Sequence, residues 1–142
     1  MKLKIFFDSN VIIDALAERD TSFKKSKDLV RYVVAKKVDG YITAKQITDI
    51  YYVIKHYFSS EEKRRYIIKT IIETFEILPT TKSDIQYCLH TKMKDLEDAL
   101  IDEVCKVNCM DYLVTNNVKD FEGAKSCIAT PEQLVTLLDI NQ

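Results

Sequence analysis

The residues with chemistry to offer in this chain are acids set at the ends of regular elements. Asp8 closes an apolar run, Lys4-Ile5-Phe6-Phe7, and precedes a Ser-Asn pair and a second apolar run, Val11-Ile12-Ile13. The first run reads as a strand buried on both faces, and the Ser-Asn pair as the start of a helix. An acid at the C-terminal tip of a buried strand is costly unless something uses it. Other acids hold comparable places. Asp49 lies early in the helix after a second strand. Asp95 and Asp98 lie in the first turn of a helix that feeds a fourth strand. Asp120 follows that strand, with Asn116 and Asn117.

Two carboxylates about 4 Å apart repel by roughly 4 kcal/mol at an effective dielectric near 20. A hard divalent cation such as Mg²⁺ or Mn²⁺ removes that repulsion, because it takes oxygen ligands and keeps several waters. Such a cation can also polarise a phosphodiester, lower the pKa of bound water and steady a leaving oxygen. The chemistry suggested is metal-assisted phosphodiester hydrolysis. It needs no histidine as base, and His56 and His90 read as ordinary surface or core residues. Each acid alone has a plainer reading. Asp49 is a solvated helix acid, Asp95 a helix cap and Asp98 a favourable acid at the helix start. Asn117 is a turn residue, and Asp120 caps a short turn.

The elements that must bring these groups together can be read in order. Strand 1 spans Leu3 to Phe7, and a helix runs from Asn10 to about Arg19. Thr21-Ser22 caps a second helix carrying Phe23, Leu29, Tyr32 and Val33 at helical spacing. Asp39-Gly40 ends it and opens strand 2, Tyr41-Ile42-Thr43. Ile47, Ile50, Tyr51 and Ile54 stripe a third helix. Ser59-Ser60-Glu61-Glu62 starts a fourth, with Tyr66-Ile67, Thr70-Ile71 and Thr74-Phe75 as its stripe. Glu76 to Pro79 reads as an edge strand. Ser83 caps a helix through about Met93, and Asp95 caps another over Leu96 to Val107. Met110 to Thr115 is strand 4 and Cys127 to Ala129 strand 5. Thr130-Pro131-Glu132 opens the last helix, with proline at its first position. Strands separated by helices imply a mostly parallel α/β sheet covered on both faces. A helix leaving a parallel strand, and the helix feeding the next strand, both start at the strands' C-terminal edge. Asp8, Asp49, Asp95, Asp98, Asn117 and Asp120 therefore fall on one edge, where open α/β sheets bind ligands.

Composition bounds the rest. A chain of 142 residues with 46% hydrophobic and 30% charged residues fits one globular domain, here residues 1–142. Two glycines and two prolines argue against linkers. A net charge of −1 leaves nucleic-acid contact to local patches such as Lys24-Lys25, Lys45, Lys55 and Lys63-Arg64-Arg65. Tyr51 and Tyr52 have the chemistry to stack on bases, but their spacing favours packing. Cys88, Cys105, Cys109 and Cys127 lack metal-type pairing and read as packed, reduced thiols. Met1-Lys2-Leu3-Lys4 leads straight into strand 1. With no leader and no long apolar span in view, a cytoplasmic protein with no membrane association is expected.

Four stretches resemble the PIN domain family of ribonucleases, which includes the VapC-like toxins of type II toxin–antitoxin pairs. They are Phe7-Asp8-Ser9-Asn10-Val11-Ile12-Ile13-Asp14, Asp95-Leu96-Glu97-Asp98-Ala99-Leu100, Tyr112-Leu113-Val114-Thr115-Asn116-Asn117-Val118-Lys119-Asp120-Phe121 and Thr130-Pro131-Glu132. Together they span nearly the whole chain. The resemblance implies a three-layer α/β/α sandwich with a parallel sheet in approximate order 3-2-1-4-5. It also implies Mg²⁺- or Mn²⁺-dependent endonucleolytic cleavage of RNA. Asp8 matches the family's first metal-binding acid and Asp98 the third. Asp49 stands where the family usually has glutamate, shorter by one methylene. The fourth acid, in a T-x-D pattern, falls on Asn117, which offers a neutral oxygen. Some relatives carry the T-x-N-x-x-D-F form seen here, in which Asp120 supplies the missing carboxylate. Asn10 or Thr115 would steady the carboxylates by hydrogen bonds. An antitoxin covering the acidic pocket, often with a basic side chain, and a homodimer are implied as well.

Three other readings compete: a relative that binds RNA or protein without cutting, a phosphotransfer domain with Asp8 as acceptor, and a purely structural domain. A haloacid-dehalogenase-type phosphatase wants an acid two residues after Asp8, where Asn10 stands.

Overall fold

The computed structural model describes residues 2–141. Its frame is a parallel sheet of five strands in the order β3-β2-β1-β4-β5. The strands are β1 (Lys4–Phe7), β2 (Asp39–Thr43), β3 (Glu76–Leu78), β4 (Tyr112–Val114) and β5 (Ile128–Ala129). β1 is central, and its register sets Phe6 between Tyr41 and Leu113. Ile5, Phe6 and Phe7 are fully buried, as a strand covered on both faces requires.

Alternation along the strands divides the core in two. Ile5, Phe7, Ile42 and Val114 face one helical layer, and Phe6 and Leu113 face the other. The first layer holds α1 (Ser9–Ala17), α2 (Phe23–Val34), α3 (Ala44–Ile54), α4 (Glu61–Thr74) and α7 (Pro131–Ile140). The second holds α5 (Lys82–Cys88), α6 (Leu96–Val107) and a 3₁₀ turn over Val118–Phe121. The sandwich and its strand order match the expectation.

Local differences have local causes. α1 begins at Ser9, one residue before the expected start, and puts Asp8 in the capping position without a capping bond from its side chain. α2 stops at Val34, and Lys36, at φ 60°, turns the chain. Asp39-Gly40 lies inside β2 and does not end the helix. Gly40 answers a packing need: a Cβ there would sit 2.8 Å from the Phe75 ring and 2.9 Å from Val33. Thr81, not Ser83, caps α5, because Thr81 and Asp84 bond reciprocally, and the helix ends at Cys88 rather than Met93. β3 is an edge strand, as Pro79 suggested. Of the stripe expected for α4, Ile67, Ile71 and Phe75 (the residue that ends the helix) are buried, while Tyr66 is exposed. All four cysteines are free; Cys88 and Cys105 are buried, while Cys109 and Cys127 are exposed rather than packed. Among the described residues no helix is long and apolar enough to cross a membrane.

Candidate active site

Asp8 is held from three sides. Its N–H donates to the Val114 carbonyl at 2.9 Å, extending the β1–β4 pairing past the strand end. The residue is 7% exposed, and its carboxylate accepts a 2.8 Å bond from the Thr115 hydroxyl. Thr115 is itself fully buried, with its N–H on the Ala129 carbonyl at 3.0 Å. Its hydroxyl also accepts the Asn117 N–H at 2.9 Å, so the loop after β4 is tied to Asp8 through one oxygen. Burial raises the pKa of Asp8. The Thr115 hydroxyl and the N–H groups of Asn10 and Ser9 pull it back, and the charge of Asp120 pushes it up again.

Asp98 sits in the first turn of α6. Asp95 caps that helix by accepting the Asp98 N–H at 3.0 Å. The Asp98 carboxyl is pushed up to about 7, chiefly by burial, then by the charges of Asp95, Asp8, Asp120 and Glu97. Asp98 stands where two clefts meet. One, about 400 Å³, is lined by Asp8, Asn10, Lys45, Asp49, Tyr52 and Asp98 among others. The other, about 620 Å³, takes in Lys92, Lys94, Asp95, Asp98, Lys119 and Asp120.

The remaining expected residues fall as follows. Asp49 lines the first cleft, but Lys45 Nζ lies 2.9 Å from its carboxylate and also bonds Glu97, joining α3 to α6. Burial alone would lower the Lys45 pKa; Glu97 and Asp49 outweigh it and hold the ammonium charged. Asp120 is exposed and acts on both Asp8 and Asp98. The Asn117 side chain is exposed and lines neither cleft. Asn10 lines the first cleft, yet its side-chain oxygen accepts from Arg19 at 3.2 Å; only its N–H serves Asp8.

Three groups escaped the sequence reading. Gln46, 2% exposed, donates to the Phe7 carbonyl at 2.8 Å and to Ser9 Oγ at 3.1 Å, while its oxygen accepts the Thr43 N–H at 2.7 Å. It pins the start of α3 to the turn carrying Asp8. The Thr43-x-x-Gln46 capping box was the available signal. Asp14, buried in α1, pairs with Arg19 and accepts from Asn116 Nδ2 at 2.7 Å, which also reaches Ser26 at 3.1 Å. This polar knot ties α1 and α2 to the loop after β4. Glu97 meets Lys45 across the cleft, a contact that no local spacing announces.

The donor set suits a hard cation. It consists of carboxylate oxygens, one buried and one whose pKa is raised by burial and by neighbouring acids. Among the described residues no three Asp, Glu, His or Cys side chains close into a cage by themselves. Mg²⁺ does not need one, since it commonly takes one or two carboxylates and fills its remaining positions with water and substrate oxygens.

A family model described as "PIN domain" matches residues 4–119. Ribonuclease VapC1 of Aquifex aeolicus (strain VF5) is 29% identical over 137 residues, covering 92% of each chain. Among solved structures, VapBC2 from Rickettsia felis bound to a DNA fragment from its promoter has a TM-score of 0.67 at 16% identity, covering 90% of this chain and 98% of that one. A toxin–antitoxin complex from Klebsiella pneumoniae has a TM-score of 0.65 at 24% identity, covering 89% and 97%. At these identities the two structures speak to the fold.

Proposed function

The chain belongs to the PIN domain family, and we propose that it is an endoribonuclease dependent on Mg²⁺ or Mn²⁺ and the toxin of a toxin–antitoxin pair. The carrying observation is that Asp8, Asp49 and Asp98 line one cleft and Asp120 shares the adjoining one with Asp98, with the Asp98 carboxyl pushed up to about 7 by burial and by neighbours that include Asp8 and Asp120. Such a group is poised for a cation. The VapC-like character of the chain, through its relative named as a ribonuclease, supports RNA as substrate.

In this reading Asp8 and Asp98 hold the cation directly, and Asp49, Asn117 and Asp120 contribute through water or a second ion. When bound, the cation would offset the repulsion among the acids and polarise the scissile phosphodiester. The chain's other residues position the acids. Thr115 fixes the rotamer of Asp8, Gln46 locks the turn beneath it, and Asp95 sets the first turn of α6. Lys45 holds Asp49 and Glu97 at the cleft mouth, so one positive charge is already present there. The partner proposed is an antitoxin that covers the acidic cleft with a basic side chain. A cytoplasmic homodimer completes the reading.

The test is cleavage of RNA by purified protein with Mg²⁺, Mn²⁺ or EDTA, alongside growth arrest on expression. EDTA, Asp8→Ala and Asp98→Ala should each abolish cleavage, and the two substitutions should relieve growth arrest. Folded variants that stay toxic, or cleavage that survives EDTA, would refute the proposal.

A further inference from the structure

Tyr52 lies one helical turn beyond Asp49 on α3 and lines the same cleft as Asp8 and Asp98. Helical spacing favours packing for both Tyr51 and Tyr52, yet only Tyr51 follows it. Tyr51 is half-buried beneath Lys55 and Arg64, at 5.6 and 5.8 Å from its ring centre. Tyr52 is 67% exposed, although its ring is large and mostly apolar. Lys55 Nζ lies 5.7 Å from the Tyr52 ring centre, and the His56 ring meets it edge-on at 6.4 Å.

Three of the other basic side chains near this helix are already engaged. Arg64 donates to the Phe58 and Ser59 carbonyls at 2.8 Å, and Arg65 pairs with Glu61 at 2.9 Å. Lys45 is held by Asp49 and Glu97. Lys55 forms no ion pair among the described residues. Tyr52 thus presents a largely exposed ring to the acidic cleft, with an ammonium that forms no ion pair among the described residues over one side of it. The ring offers a stacking surface for a nucleobase, and the ammonium a counter-charge for the adjoining phosphate.

We propose that Tyr52 is a stacking platform for an unpaired base next to the scissile phosphate, with Lys55 holding the neighbouring phosphate. This rests on the ribonuclease reading and adds a requirement to it. A base inside a duplex has both faces covered, so only a loop, bulge or single strand can use the platform. The chain would therefore select unpaired RNA at that nucleotide.

The experiment uses a short single-stranded RNA with 2-aminopurine at each position in turn, titrated with the full chain in EDTA and followed by fluorescence, then cut with Mg²⁺. Tyr52→Ala should weaken binding by about 5- to 100-fold, with KM rising alongside Kd. Tyr52→Phe should stay within about twofold, since the ring and not the hydroxyl does the stacking. Lys55→Ala should flatten the salt dependence of Kd by about one phosphate contact. Melting curves check that each variant is folded. The proposal falls if Tyr52→Ala binds and cuts like wild type, if Tyr52→Phe is as weak as Tyr52→Ala, or if duplex RNA of the same sequence binds as tightly. It also falls if Tyr52→Ala alters only the sedimentation of the chain, which would make this face a protein contact. Wild type that cuts RNA while Tyr52→Ala is indistinguishable from it overturns the platform alone. Wild type that neither binds nor cuts overturns the ribonuclease reading beneath it.

Discussion

Asp98→Asn should stabilise the metal-free protein while abolishing cleavage. The carboxyl moves from an ordinary 3.8 to about 7 on folding, so the folded chain holds this proton more tightly than the unfolded chain. Between pH 3.8 and 7 the unfolded state has lost the proton and the folded state has kept it. Raising the pH through that window therefore erodes the stability of the wild type. At full weight the gap corresponds to about 4 kcal/mol. Asp98 is partly exposed, and solvent screening leaves roughly 1–2 kcal/mol of it. A carboxylate in the first turn of a helix returns about 0.3–1 kcal/mol, which asparagine forgoes. The net gain for Asp98→Asn is about 1 kcal/mol at pH 8, or roughly 2–4 °C in melting temperature. It should shrink towards zero near pH 4. Thermal melts in EDTA from pH 4 to 8 measure this. Saturating Mg²⁺ should raise the melting temperature of wild type more than that of the variant. A variant less stable than wild type at pH 8, or a difference that ignores pH, would refute the account of Asp98.

Thr115→Val keeps the shape of a buried side chain but strips Asp8 of its hydroxyl partner. Cleavage should fall about 10- to 100-fold and stability by about 1–2 kcal/mol, read by a cleavage assay and urea unfolding. With that lowering bond gone, the pKa of Asp8 rises further, so the acid limb of the activity profile should shift to higher pH. Asp14→Ala leaves Arg19 and Asn116 without their shared partner. Because Arg19 is partly exposed, about 2–3 kcal/mol of destabilisation is expected in the same unfolding experiment, with reduced cleavage as the loop after β4 loosens. Gly40→Ala drives a methyl group against the Phe75 ring and Val33. It should cost about 1–3 kcal/mol and leave the melt cooperative.

Much of the fold was legible because each segment carries its own instructions. Ile5-Phe6-Phe7 is a short apolar run with no polar face, which reads as a strand buried on both sides, and all three residues are fully buried. Thr130-Pro131 and Asp95 announced helix starts that the chain uses. Where two signals competed, the reading slipped. Ser83 has the chemistry of a cap, but Thr81 and Asp84 satisfy each other and start the helix two residues earlier. Gly40 looked like a helix stop because glycine serves both at turns and at close approaches. Only the position of Phe75, far along the chain, decides between them.

The candidate site divides in the same way. Parallel topology makes every strand tip and every feeding helix start share one edge, so the order of elements alone predicted that Asp8, Asp49, Asp98 and Asp120 would lie at that edge. What each acid meets there depends on side chains brought from other elements. Lys45 engages Asp49, Thr115 turns to Asp8, Arg19 claims Asn10, and Tyr52 stands out in solvent while Tyr51 tucks in. Local pattern fixes which elements form and in what order, because hydrophobic period and capping act within a few residues. The partner of each charge is settled only when distant segments pack, because Coulomb forces and hydrogen bonds answer to distance in space and not along the chain.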